Sequence, residues 1–273
     1  MRALGYEDGR NIRYNFQNVA DDAAAVEAAR LFVRERVDLI VCFDNEACAA
    51  AQQVTTTMPI VMVNVGNPVA AGFAQSLARP GLNMTGFAGR IELPAKEMQI
   101  LREIGPKLKR ILLLFDSKER ASITWRADSR IAAKTLGFTL VERDVSDAAG
   151  ITKVFERLKP GEVEAVLFAS NGIRHRHMGV MLPLAQANKL LMTTGRKDLV
   201  EKGILFSYGY DFAKVGRATA GRYIDRVIKG AAPRDLPIEE VTEYELTVNR
   251  GVAKRAGIAI PQSILLQATQ VID

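Results

Sequence analysis

The side chains able to do covalent or metal chemistry are few in this sequence, and their spacing suits neither. Cys42 and Cys48 are the two cysteines, too few for a zinc site or a disulfide framework. If Cys42 ends a strand and Cys48 lies in the following helix, bridging them is awkward, so two buried free thiols are expected. His175 and His177 lie two residues apart and face different directions on a helix, which is poor metal-ligand spacing. No Ser/His/Asp set stands in a nucleophilic context, and no G-x-x-x-x-G-K-[ST] phosphate loop occurs. Cofactor-independent racemases use one thiol from each of two lobes, whereas Cys42 and Cys48 would share a lobe. The expectation is a protein that is not an enzyme, with no cofactor and no metal.

A second set of polar residues is better placed to bind than to react. It comprises Phe43-Asp44-Asn45-Glu46, Asn64-Val65-Gly66-Asn67-Pro68, Asp116-Ser117, Ser170-Asn171 and Ser207-Tyr208-Gly209-Tyr210-Asp211. Each segment follows a short apolar run that reads as a strand. In doubly wound sheets, ligands bind beyond the carboxyl ends of the strands. The candidate ligand-binding residues are therefore Phe43, Asp44, Asn45, Gly66, Asn67, Asp116, Ser117, Ser170, Asn171, Tyr208 and Tyr210. Several have a plainer role available. Asp44, Asn45 and Asn67 suit helix N-caps, as does Asp211. Tyr208 and Tyr210 suit packing where the chain crosses between lobes, and Phe43 and Phe115 suit a core. Trp125, among Arg120, Arg126 and Arg130, reads as surface or interlobe packing.

The elements that must position these residues alternate. Strands are expected at 37–42, 60–63, 111–115, 139–142, 165–168 and 204–207, where short apolar runs suit strands covered on both faces. A further strand is expected at Asn11–Gln17. Between them lie helical stripes: Val26, Ala29 and Val33 in 22–36; Met98, Leu101 and Ile104; Val180, Met181, Leu184 and Ala185; and Val215, Ala218, Ile224, Val227 and Ile228 in 211–229. Repeated strand–helix–strand order implies parallel sheets with right-handed crossovers.

The chain has 273 residues, 48% apolar and 25% charged, which suits two small α/β cores. Without a Pro/Gly/Ser-rich linker, crossings between lobes must use short segments: Gly86–Pro94, Tyr208–Asp211 and Pro237–Tyr244. The expected lobes are 1–89 with 210–241, and 90–209 with 242–273. Net charge is +6, but the basic residues are dispersed. The densest cluster, Arg174-His175-Arg176-His177, has no aromatic interleaving, so nucleic acid is not an expected partner. No apolar run approaches a membrane span of about 20 residues. Met1–Leu4 reads as the end of a helix before a Gly5–Gly9 turn, so the first strand of the N-terminal lobe is expected to be missing from this sequence.

Three stretches carry a resemblance. They are Leu4-Gly5-Tyr6-Glu7-Asp8-Gly9-Arg10-Asn11-Ile12; Ser76-Leu77-Ala78-Arg79-Pro80-Gly81-Leu82-Asn83-Met84-Thr85-Gly86; and a C-terminal series. That series contains Ile228–Pro233, Asp235-Leu236-Pro237, Tyr244-Glu245-Leu246, Asn249, Ala256-Gly257-Ile258 and Ile260-Pro261. In order and along essentially the whole chain, they resemble ABC-transporter substrate-binding proteins of the family with tryptophan- and phenylalanine-binding members. The resemblance implies the type I periplasmic-binding-protein fold: two doubly wound parallel-sheet lobes with a three-segment hinge. It implies an extracytoplasmic solute-binding component of an ABC importer, capturing an amino acid or aromatic carboxylate in the interlobe cleft. It also implies a permease with its ATPase as partner, and a periplasmic or lipid-anchored address, with the membrane met only through the permease or an anchor. Family members carry a signal segment and a first strand ahead of Gly5-Tyr6; the start of this sequence shows neither. Phe43-Asp44-Asn45-Glu46 and Asn67 depart from the family pattern. The alternative is the effector-binding core of a transcription regulator or sensor with the same fold.

Overall fold

Period-two burial decides how the strands are laid down. In the strand Arg110–Phe115, Leu112 and Leu114 pack into one apolar cluster, while Ile111, Leu113 and Phe115 pack into another. Both faces are covered, so every position from Ile111 to Phe115 is apolar, as expected of a buried parallel strand. Burying each such side chain contributes about 1.5–3 kcal/mol.

The computed structural model describes residues 1–19, 21–89, 93–169, 173 and 176–273. It divides into two compact units, each made from two stretches of chain: Met1–Arg90 with Asp211–Thr242, and Ile91–Tyr210 with Glu243–Asp273.

The first unit holds a four-stranded sheet of order β1-β2-β3-β9. Its strands are β1 (Ile40–Cys42), β2 (Ile60–Gly66), β3 (Met84–Gly89) and β9 (Glu239–Glu240), all parallel. Helix α1 (Asp22–Arg34) starts where the Asp21 carboxylate accepts from Ala24 N–H at 2.9 Å. Helix α2 (Asn45–Val54) follows β1. Ile40, Cys48, Ile60, Met62, Phe73, Met84 and Ile238 share the core.

The second unit holds a seven-stranded sheet of order β11-β10-β8-β7-β6-β4-β5. These are β4 (Arg110–Phe115), β5 (Thr139–Asp144), β6 (Ala165–Phe168), β7 (Leu191–Thr194), β8 (Phe206–Gly209), β10 (Glu245–Asn249) and β11 (Gln270–Ile272). Pairing is parallel except between β10 and β8. Helices α3 (Leu93–Ile104), α4 (Arg120–Leu136), α5 (Ala148–Arg157) and α6 (Met178–Ala187) intervene. After β8 the chain enters α7 (Phe212–Thr219), continuous through a π-helical turn at Ala220–Ile224 with α8 (Asp225–Ile228). The π turn directs Tyr223 so that its hydroxyl donates to Pro237 O and accepts from Glu239 N–H. Helices α9 (Arg250–Arg255) and α10 (Gln262–Gln267) close the chain.

Two expectations fail. Residues 11–17 form no strand, despite the alternation of Ile12, Tyr14 and Phe16. A strand needs a neighbour for its N–H and C=O groups. Here the pairing recorded is a single bridge between Asp8 and Ile12, and Tyr14 and Phe16 are 55% and 79% exposed. Second, Cys42 and Cys48 are not free thiols but a disulfide, with Cα atoms 5.5 Å apart. Because α2 begins at Asn45, Cys48 lies one turn into the helix and faces back over the end of β1; both cysteines are buried.

A bridge across a sequence separation of 6 closes a short loop. Its contribution through chain entropy is about 2 kcal/mol. Urea denaturation with and without reductant should differ by about that amount, and the oxidised protein unfolded in urea should show no thiol to Ellman's reagent.

Candidate functional site

The carboxyl ends of the strands in the first unit carry its polar groups. Beyond Cys42, Phe43 is 59% exposed, so it belongs to the rim and not to the core. Asp44 caps α2, its carboxylate accepting from Ala47 N–H at 2.8 Å. Asn45 spans to the end of the neighbouring strand. Its carboxamide donates to Gly66 O at 2.9 Å and accepts from Gly66 N–H at 2.9 Å, so one side chain imitates a strand partner. Asn67, exposed, accepts from Ala70 N–H at 3.1 Å.

Backbone strain gathers at this rim. Among the described residues, five that are not glycine have positive φ. Three of them are Asp44 (138°), Asn64 (59°) and Asn67 (42°), at the ends of β1 and β2. Asp and Asn tolerate these conformations best, yet each still costs on the order of 1 kcal/mol or more. Asn64 also marks a bulge, where the register of β2 against β3 shifts between Met62 and Val65. Bulges re-aim side chains and recur beside binding sites.

In the second unit, Asp116 follows β4 and is buried. Its carboxylate accepts from Lys118 N–H at 2.9 Å, and its own N–H donates to Ser122 Oγ at 2.8 Å. Ser117 N–H donates to Asp144 Oδ1 at 3.0 Å, tying the ends of β4 and β5. Below them Phe115 is buried, with the Arg126 guanidinium 3.8 Å from its ring centre. Arg130 and Arg126 both bond Glu142, and the Arg130 hydrogen bond above all holds the Glu142 carboxyl below the ordinary carboxylate range. Glu142 is thus a fixed anion that aligns two arginines. Ser170 and Asn171 lie outside the described residues, as does His175. Trp125 packs, partly buried, on the core of this unit.

The tyrosines assemble around one that the sequence reading did not single out. Tyr244 stacks on Tyr208, ring centres 5.5 Å apart and 20° from coplanar. Tyr210 meets Tyr244 edge-on at 6.1 Å. Tyr210 is 7% exposed, and burial first, then Tyr244, pushes its phenol far above the ordinary range. Tyr208 and Tyr244 keep part of their surface open. Tyr244 was visible in the C-terminal motif, but its contact with Tyr208 needs the antiparallel pairing of β10 with β8, which sets Leu246 opposite Tyr208.

Among the described residues no group of three or more His, Cys, Asp or Glu could hold a metal ion. No described helix is long and apolar enough to cross a membrane.

The Asn45 bracket makes a direct prediction. Asn45→Ala removes both hydrogen bonds to Gly66 and should cost about 1–3 kcal/mol in urea denaturation. Asn45→Asp keeps an acceptor for the Gly66 N–H but sets a second carboxylate oxygen against Gly66 O, so it should not restore the parent's stability.

The chain is 27% identical over 251 residues to the tyrosine-binding protein of Clostridioides difficile, a match spanning 92% of this chain and 72% of that protein. A structure from Streptococcus pneumonia, described as an ABC domain in complex with L-Trp, superposes with a TM-score of 0.85 at 27% identity, covering 99% of this chain and 91% of that one. A conserved domain protein of Vibrio cholerae superposes with a TM-score of 0.88 at 26% identity, covering 99% and 90%. The family profile described as ABC transporter substrate binding protein matches residues 1–272, and the chain belongs to that family of solute binders, which are not enzymes.

Proposed function

We propose that this protein captures a free amino acid with an aromatic side chain and delivers it to an ABC permease and its ATPase. The observation that carries this reading is the half-open pair of stacked tyrosines, Tyr208 and Tyr244, at the end of β8 and the start of β10. A flat apolar ring with a polar tip suits an aromatic ligand. The relatives named for tyrosine and tryptophan support the same ligand class. The carboxylate of Asp116, just beyond β4, suits an ammonium group better than an anion. The proposed contacts are Phe43, Asp44, Asn45, Gly66 and Asn67 of the first unit. From the second unit they are Asp116, Ser117, Ser170, Asn171, Tyr208 and Tyr210.

Substrate-binding proteins of this family work outside the cytoplasm, and we place this one in the periplasm or at an equivalent cell surface. The Cys42–Cys48 disulfide supports that placement, since such bonds persist in oxidising compartments.

A thermal-shift panel of the twenty amino acids, with sugars as controls, tests the ligand class. Tyrosine or tryptophan should raise the melting temperature most. No shift with any amino acid, together with a different small molecule retained in native mass spectrometry, would overturn it. Tyr208→Ala should weaken binding by about 1–2 kcal/mol through lost aromatic burial, read by calorimetry. Unchanged affinity would remove Tyr208 from the contact set.

A further inference from the structure

Beside the stacked tyrosines stands a guanidinium that is fixed along one edge and open along another. Arg196 lies two residues beyond β7, at the sheet end that carries Tyr208. Its Nε donates to Asp198 Oδ1 at 3.1 Å and its Nη2 to Asp198 Oδ2 at 2.6 Å. That pairing uses the side edge of the guanidinium and fixes its plane. The end edge, formed by Nη1 and the second Nη2 hydrogen, makes no hydrogen bond among the described residues. Two parallel N–H groups on a planar fork match the two oxygens of a carboxylate. The side chain is 40% exposed, so a ligand can reach it.

Three contacts hold this residue against the tyrosines. The Arg196 N–H donates to the Oγ1 of buried Thr194 at 3.2 Å. The preceding residue, Gly195, lies against the end of β8. A Cβ added at Gly209, next to Tyr208, would come 2.1 Å from Gly195 O. Gly209 has no positive φ, so the close approach alone demands glycine there. The following residue, Lys197, pairs with Glu245, next to Tyr244, at 3.2 Å. Arg196 thus sits between a residue packed beside one tyrosine and a residue tied beside the other. In the same sheet β6 alone separates β7 from β4, the strand that Asp116 follows. A guanidinium and a carboxylate therefore share one end of one sheet, which matches the two charged groups of an amino acid.

We infer that Arg196 is a specificity-determining residue that seats the ligand's carboxylate, while Tyr208 and Tyr244 take its ring. This rests on the amino-acid reading above. It distinguishes an amino acid from an amine or amide with the same ring, which leaves the open edge of Arg196 without a charged partner.

The test is titration calorimetry of the full chain with L-tyrosine and L-tryptophan, each against its carboxamide, alongside melting temperatures. The amides keep the ring and the ammonium and replace the carboxylate by a neutral group. The parent should bind each acid about tenfold or more tightly than its amide. Arg196→Gln should lose about tenfold or more for the acids and less than about twofold for the amides. Its melting temperature should stay within about 3 °C of the parent's, because the ion pair it breaks with Asp198 is exposed. Arg196→Lys, which keeps the charge but not the fork, should fall between the two. If the glutamine variant does not fold, the lysine variant gives the same comparison. A glutamine variant that binds the acids within about twofold of the parent overturns the inference alone. Equal losses for acid and amide remove Arg196 from the carboxylate and overturn it too. A parent that binds no amino acid overturns the wider reading and this inference with it.

Discussion

A parallel strand covered on both faces can show polar groups to a ligand only where it stops. In both units that constraint sorts the sequence. Along β4 every residue from Ile111 to Phe115 is buried, and the first carboxylate appears at Asp116. Beyond β1 the apolar run gives way at Asp44, and along β2 it is first broken at Asn64. The side chains at these points then have two tasks, because the following helix or loop must also be started there. Asp44 and Asp116 show the overlap: each carboxylate accepts a backbone N–H two or three residues ahead and remains at the rim.

The same rim explains the disulfide. β1 is three residues long, and α2 starts three residues after Cys42. So tight a strand-to-helix turn forces Asp44 to φ 138° and swings Cys48 over the strand end. The bridge ties the first turn of α2 to β1 on either side of the strained residue. Strain at Asp44 is then held by a covalent link on the core side and by a cap hydrogen bond on the solvent side.

Much of the architecture was legible in periodicity. The apolar runs at 60–63, 111–115 and 165–168 all lie in strands, because continuous burial leaves a continuous apolar signature; 139–142 also lies in a strand, the half-exposed edge strand β5. A cap at Asp21 or Asp22 is legible from their place before the stripe of Val26, Ala29 and Val33, and the structure selects Asp21. What failed depends on partners distant in the chain. Residues 11–17 alternate as a strand does, but pairing is a property of two segments, and no described strand lies beside them. β10, with its run Glu245–Asn249, carries a pattern too short to separate from a loop until β8 and β11 flank it. At the site, residue types named the rim, but not which side chains were already spent. Asn45 and Asn64 look alike in sequence; one is fastened to Gly66 and the other is not.

That difference bears on how a binder achieves selectivity without chemistry. Holding Asn64 left-handed costs on the order of 1 kcal/mol whether or not a ligand is present. The cost is met once, during folding, by a core in which Met62 and Val65 on either side of the bulge are fully buried. On the amino-acid reading proposed above, a rim positioned in this way would need no reordering when a ligand arrives, so little of the binding energy would be lost to conformational entropy. A flexible loop could offer the same carboxamide, but it would spend part of each hydrogen bond on its own ordering. The bulge and the bracket from Asn45 to Gly66 act in one direction: they fix the end of β2 before anything binds.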